Sequence, residues 1–392
     1  MRLHMVAAVT LGAALLAPSD AHAIPAWARK YNMNCSGCHA PAVPRLNAKG
    51  YLFKWAGYRM PEEIGENQEV KNYSEYVAAR MDFRYIYRKT EKTPTTTNSL
   101  ELDNASLFAG GAIGKYYGAF FEFEHAIDEP VELQNSVYGV WGKEKAFGGV
   151  RGGMMHWFLR GGVAGFDRPT GINTVTVLGS ALTRNGVPFK FSQDQLGAEA
   201  FYVMNKNRLS FEVLNGLDRS GIEGHSPDTK DFVAIDQYIY DAFGSGIAAV
   251  AYFGAIANLD STLEQTSHYT RFAVSANKIF KNFELLGGYA YGKDNDLPVG
   301  ATFKSSSITG SGFWGYAGYT FPSSLTAFGR YEYVDSNKDI ANSGNVRYAI
   351  GSVLPVNLPE YLRLAAEYTL DAPRPTNSLK KHAFIVQALL NF

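Results

Sequence analysis

The chain has 392 residues, 37 basic against 37 acidic side chains and a formal net charge of zero. Charged residues are 19%, below the ~25% of ordinary soluble domains, and no long basic run offers the phosphate-neutralising charge that a nucleic-acid partner requires. The 24 Tyr, 25 Phe and 39 Gly fit instead the aromatic girdles and tight turns of a membrane β-barrel.

Residues 1–23 read as a secretory signal peptide. Arg2 gives the positive start, an apolar run follows from Met5 to Ala17, and Ala21-His22-Ala23 is a small-x-small cleavage site. The run is too short to span a bilayer as a helix. The mature chain is expected to begin at Ile24.

Residues 24–61 form a short helical segment built around Cys35-Ser36-Gly37-Cys38-His39. This is the C-x-x-C-H pattern of c-type haem attachment. Two thiols one turn apart can form thioethers with the two vinyl groups of one covalent haem c, and the adjacent His39 then lies under the iron as proximal ligand. A thioredoxin-like pair would need a βαβ context. Half a zinc site would need two further ligands, and the chain has no second cysteine pair. Met60 is the first choice for the distal iron ligand, because it follows the motif after the Gly57-Tyr58 turn signal; a plain apolar contact is the competing role. About forty residues are marginal as an independent domain, so the segment must lean on the rest of the chain. Residues 62–75 are a linker, whose roughly fifteen residues reach up to ~50 Å when extended.

From Tyr76 onward the residues alternate. Arg80, Asp82 and Arg84 interleave with Met81, Phe83 and Tyr85, and the same period recurs around Glu122, Arg271, Arg330 and Arg363. Period two with one apolar face is the mark of a strand. Seven short turns, the first at Gly114-Lys115 and the last at 357–360, alternate with eight longer polar loops. That count gives about sixteen strands over 76–392, an all-β transmembrane antiparallel barrel with short periplasmic turns and long external loops. The last strand places Phe384, Val386, Ala388, Leu390 and Phe392 on one face and ends on an aromatic residue, as outer-membrane proteins commonly do.

A barrel of this size encloses an aqueous lumen. Arg80, Asp82, Arg84, Glu122, Glu124, Arg151, Arg271, Arg330, Glu332, Arg363 and Glu367 are expected to line it as solvated channel residues. The longest loop, 159–188, carries Arg160, Asp167 and Arg168 and is a candidate constriction folded into the lumen. Because both barrel ends fall on the periplasmic side, the haem segment starts there and can plug the channel. Asp128, Glu129 and Glu132 make one external loop acidic, with oxygen ligands suited to Fe(II), although a solvated acidic loop is the simpler reading. His125 and His156 fall near the external strand ends, far from a periplasmic haem, as interfacial residues. No acid–base constellation of a haem enzyme is visible.

The stretch 28–60 resembles the N-terminal segment of the fused monohaem cytochrome–porins of Fe(II)-oxidising bacteria. The matching residues are Ala28-Arg29, Met33, the Cys35–His39 motif, Pro44-Arg45-Leu46-Asn47, Gly50, Phe53-Lys54 and Gly57-Tyr58. One departure is Lys49, where the family pattern has an aromatic before the glycine. The resemblance implies electron transfer across the outer membrane of a Gram-negative bacterium, from extracellular Fe(II) or another donor to a periplasmic c-type cytochrome, as an iron:cytochrome c oxidoreductase. It carries over Cys35, Cys38 and His39, and Met60 less directly. Outward electron flow in metal reduction, and a diffusion porin with a haem-bearing plug, are the alternatives. Besides the outer-membrane lipid, a second copy of the chain is an expected partner, since porins of this size often form homotrimers.

Overall fold

The computed structural model describes residues 25–39, 45–93, 95–125, 132–155, 168–183, 186–217, 229–257, 266–299, 302–357, 361–374 and 379–392. The signal-peptide reading, the Ile24 start, Asp128, Glu129, His156, Arg160 and Asp167 lie outside these residues.

Sixteen strands follow one another along the chain. They are β1 (Val77–Thr90), β2 (Thr96–Ile113), β3 (Tyr117–His125), β4 (Glu132–Lys143), β5 (Ala146–Met155), β6 (Gln195–Met204), β7 (Asn207–Leu214) and β8 (Asp231–Ile239). The second half comprises β9 (Gly246–Ala257), β10 (Thr266–Phe280), β11 (Phe283–Val299), β12 (Thr302–Thr320), β13 (Thr326–Asp335), β14 (Gly344–Asn357), β15 (Tyr361–Pro373) and β16 (Lys381–Asn391). Each pairs antiparallel with its sequence neighbours, and β1 pairs with β16 to close the barrel. Closure removes the sheet edges that hydrocarbon would leave unsatisfied. At the seam, Ala79 and Phe392 exchange backbone hydrogen bonds of 2.7 and 3.0 Å. The strand count and the short-turn positions therefore agree with the alternation in the sequence.

The outer face is apolar: Met81, Phe83, Tyr85, Leu209, Phe211, Phe232, Phe253 and Phe272 are exposed. The inner face is not the wet polar surface expected of an open channel. Asp82, Arg84, Glu122, Arg151, Arg271, Arg330, Glu332, Arg363 and Glu367 are all buried, with Arg271 and Glu367 at 0%. Between them stand large buried apolar residues such as Phe120, Tyr138, Phe147, Tyr252, Trp314 and Phe328. The expectation of solvated channel residues is corrected accordingly: the lumen has a core of its own. Arg80 and Glu124 keep partial exposure.

Among the described residues, two parts of the chain fill it. One is the N-terminal segment, with helices α1 (Pro25–Tyr31) and α2 (Ala48–Trp55). The other is the inserted stretch between β5 and β6, which contains the single-turn helix α3 (Thr176–Gly179). Ile172, Val175, Val177, Leu178, Leu182, Val187, Phe189 and Phe191 of this stretch are buried in the barrel core. It hangs from wall carboxylates. Thr170 and Asn173 donate to Glu367 at 2.7 and 2.8 Å, the Thr176 amide donates to Glu332, and the Val187 amide donates to Asp294 at 2.6 Å. Of the loop 159–188 expected to fold into the lumen, the described residues 168–183 and 186–188 do so.

Candidate functional site

The C-x-x-C-H motif begins in a single 3-10 turn, Cys35–Gly37. Its shape is held from outside by the start of α2. Asn47 caps that helix by accepting from the Gly50 amide at 3.0 Å. Its Nδ2 donates to the carbonyls of Ser36 and Gly37, both at 3.1 Å, and its backbone amide donates to Cys38 O at 2.9 Å. Gly50 follows for a steric reason: a Cβ there would run into the Cys38 carbonyl oxygen. Cys38 is half-buried, and burial pushes its thiol pKa up, against the opposing pull of Lys49.

His39 forms an isolated bridge with Leu46, and its Nδ1 lies 2.9 Å from the Arg45 carbonyl. A ring whose Nδ1–H donates to a backbone carbonyl presents Nε2 as its ligating nitrogen, in a fixed plane. The Arg45 side chain runs the other way, to the wall. Its Nη2 pairs with Glu284 on β11 at 2.6 Å, its Nη1 donates to Pro169 O of the inserted stretch at 3.0 Å, and its guanidinium lies 5.1 Å from the Tyr316 ring centre. Burial is the largest single influence and would lower the Arg45 pKa, but Glu284, Tyr316 and Tyr51 together outweigh it, and the guanidinium is held above its ordinary range.

The other side of the segment is docked by aromatic packing. Trp27 stacks on Tyr58 at 4.8 Å and meets Phe53 edge-on at 5.2 Å, while Tyr58 stacks on Phe120 of β3 at 5.5 Å and meets Tyr138 of β4 at 5.4 Å. Such pairs add about 0.5–1.5 kcal/mol each beyond area burial. Trp27 also donates to Gly110 O at 3.0 Å. Gly57 (φ +71°) and Tyr58 (φ +63°) turn the chain against the wall, and the wall makes room at Gly118, where a Cβ would strike the Gly57 carbonyl. Arg59 donates to the carbonyls of Gly114, Lys115 and Tyr117 around the β2–β3 turn. The linker 62–75 is not extended: Gln68 and Gly114 exchange hydrogen bonds of 3.0 and 2.8 Å.

Met60 is buried, next to Arg59, and its amide donates to Glu63 at 2.9 Å. The anchor beside Met60 is therefore the β2–β3 turn, whereas the anchor behind His39 is β11, eight strands further round a sixteen-stranded barrel. These two anchors are on opposite walls. Met33 lies closer to the motif, its sulfur accepting from Lys49 Nζ at 3.1 Å. His125 is exposed at the long-loop end of β3, as expected for an interfacial residue.

The residues present fit a c-type haem. The Arg45 carbonyl holds the His39 ring through Nδ1, an orientation compatible with ligation through Nε2. Arg45 Nε and the indole N–H of Trp55 are buried without a hydrogen-bond partner, and Tyr51, whose ring lies 5.6 Å from that of Trp55, also interacts with Arg45. Buried donors of this kind suit the propionate carboxylates of a haem. Among the described residues, no group of three or more His, Cys, Asp or Glu gathers as a site for a bare metal ion.

Sequence reasoning missed the roles of Arg45, Asn47, Arg59 and Glu284. Arg45 and Asn47 stood out only as residues of the resemblance, and the further signal was three strongly hydrogen-bonding side chains in a forty-residue segment too small to satisfy them internally.

No protein-family model matches the chain, and no curated protein matches it. Solved structures do. An anion-selective porin from Comamonas acidovorans is 11% identical, with 81% of this chain and 98% of that one covered and a TM-score of 0.56. The outer-membrane channel DcaP of Acinetobacter baumannii is 13% identical over 81% and 96%, with a TM-score of 0.55. The trimer form of OmpT, an outer-membrane protein of Vibrio cholerae, is 12% identical over 81% and 99%, with a TM-score of 0.53. At these identities the likeness is one of fold: a closed porin-type barrel.

Proposed function

We propose that this chain is an outer-membrane electron conduit, a porin-type barrel whose N-terminal plug carries one covalent haem c on Cys35 and Cys38 with His39 as proximal iron ligand. The observation that carries the reading is the filling of the lumen by the described residues. Wall charges that would be wet in a diffusion channel are buried beneath a plug bearing the C-x-x-C-H motif and beneath the inserted stretch. Such an interior suits electrons better than solutes.

A bound haem supplies a one-electron iron couple. The chain's own residues fix its position: the Arg45 carbonyl orients His39, Asn47 holds the motif, and the Trp27–Tyr58–Phe120 stack and Arg59 seat the plug at the short-turn, periplasmic end. The donor in this reading is extracellular Fe(II), and the acceptor is a periplasmic c-type cytochrome; the same parts would serve outward flow if the potentials are reversed. Met60, the distal ligand expected from the sequence, is anchored on the wall opposite the anchor behind His39; Met60→Ala decides its role, by loss of the sulfur-to-iron charge-transfer band if it ligates and by an unchanged band if it does not. The trimer form of OmpT supports a homotrimer in the outer membrane.

The second reading is a diffusion porin with a haem-bearing plug, favoured by the likeness to the anion-selective porin and the DcaP channel. The deciding experiment is a visible spectrum of the detergent-solubilised protein, made with co-expressed haem-attachment machinery, before and after anaerobic Fe(II). Sharp c-type bands on Fe(II) addition are the expected result. Bands that appear only with dithionite would move the conduit to another donor or to outward flow. No haem bands at all would leave the porin.

A further inference from the structure

The core of the barrel contains many buried ion pairs, and most join one strand to another. The pair between Arg45 and Glu284 differs in joining the plug to the wall, 2.6 Å apart and buried on both sides. Its arginine also carries, on its own carbonyl, the hydrogen bond that holds His39 Nδ1 at 2.9 Å. From this arrangement we infer that Arg45 is a positioning residue for the iron ligand and that Glu284 and Pro169 set it, so that the barrel wall tunes the haem from outside the haem-binding segment. The inference rests on the haem reading above.

The physical chain is short. A carbonyl that accepts from Nδ1–H increases the electron density at Nε2 and stabilises the ferric state; a weaker or misaligned bond favours the ferrous state. The position of the Arg45 carbonyl is determined on both sides. Behind it, the side chain is pinned by Glu284, by Pro169 O and by the face of Tyr316. Ahead of it, Leu46 bridges His39, Asn47 caps α2, and the Ala48 amide donates to Ala242 O on the β8–β9 turn at 3.2 Å. That turn is in tight contact, since a Cβ at Gly244 would strike the Leu46 carbonyl. One residue thus joins the iron ligand, the wall and the inserted stretch. Loss of the Glu284 charge acts twice in the same direction. It loosens the acceptor, and it leaves the Arg45 positive charge uncompensated beside the haem, which disfavours the oxidised iron.

The test is a redox titration of the full-length holoprotein with Glu284→Gln. Glu199→Gln serves as a control, because Glu199 pairs with Arg151 and Arg208 on the wall. Barrel folding is read by heat-modifiable gel migration and haem loading by the c-type bands. Glu284→Gln should raise the midpoint potential by an amount equal to a roughly tenfold shift toward reduced haem at fixed potential, about 59 mV for one electron. It should also change the ferric electron paramagnetic resonance g-values, whereas Glu199→Gln should do neither. Arg45→Lys keeps a charge for Glu284 but cannot also reach Pro169 O, so an intermediate shift is expected. If Glu284→Gln loads haem but titrates at the parent potential with parent g-values, the inference is overturned. If it fails to fold, Arg45→Lys decides in the same terms. A parent protein without c-type bands would instead remove the haem reading on which this rests.

Discussion

Asn47 uses its amide, both ends of its side chain and its place at the start of α2 to hold the motif loop, yet in the sequence only the resemblance marks it and nothing local gives its role. The motif itself was legible because its chemistry demands a fixed spacing. The residues that hold it were not, because their partners are remote in the chain: Glu284 is found by Arg45 only once the barrel has closed. The packing around Cys38 has a measurable consequence of its own. Burial raises the thiol pKa, so the folded segment holds that proton more tightly than the unfolded chain. The associated stability is fully present below the ordinary thiol pKa and is lost as the pH rises through the raised one. The thiolate is the reactive form, and alkylation of Cys38 in the folded apo-protein should therefore set in at a higher pH than alkylation of a small free thiol. Equal pH–rate profiles would mean that the thiol is not buried against α2.

At the scale of elements, alternation and turn spacing were enough to predict sixteen strands, because a period of two is a local property. The insertion between β5 and β6 was legible as a long loop with a role. What it touches was not, since Glu367 and Glu332 read simply as polar positions on a lumen face and Asp294 read as part of a polar loop. Glu367 is the point on which the insertion depends most. It accepts from Thr170 and Asn173 and pairs with Arg330 at 3.0 Å, wholly buried. Removing one member of a buried pair leaves its partners desolvated and unsatisfied, a loss of about 3 kcal/mol or more. Glu367→Ala should therefore lower thermal stability by roughly that amount and open 168–183 to limited proteolysis, while barrel closure through β1 and β16 persists. A variant as protease-resistant as the parent would show that Glu332 and Asp294 hold the insertion without it.

For the molecule as a whole, the interior burial pattern opposes what strand number alone implies. Sixteen strands suffice for a water-filled lumen, and the fold relatives include a named porin and a named channel. In this chain, however, Phe120 and Tyr138 face inward and are covered by Trp27 and Tyr58 of the plug, apolar surface that an aqueous channel would leave exposed at a cost of about 25 cal/mol per Å2. The wall and plug are therefore matched surfaces, and the plug belongs to the barrel's core. Barrel strands satisfy their own backbone hydrogen bonds without it, so deleting 25–61 should leave a closed barrel but expose this apolar patch and the Glu284 carboxylate to water. In planar bilayers the intact protein should be close to insulating, and the deletion should conduct ions in steps, because it removes the plug residues packed on Phe120 and Tyr138. Large steps from the intact protein would show that solutes pass around the plug and would favour diffusion over electron transfer.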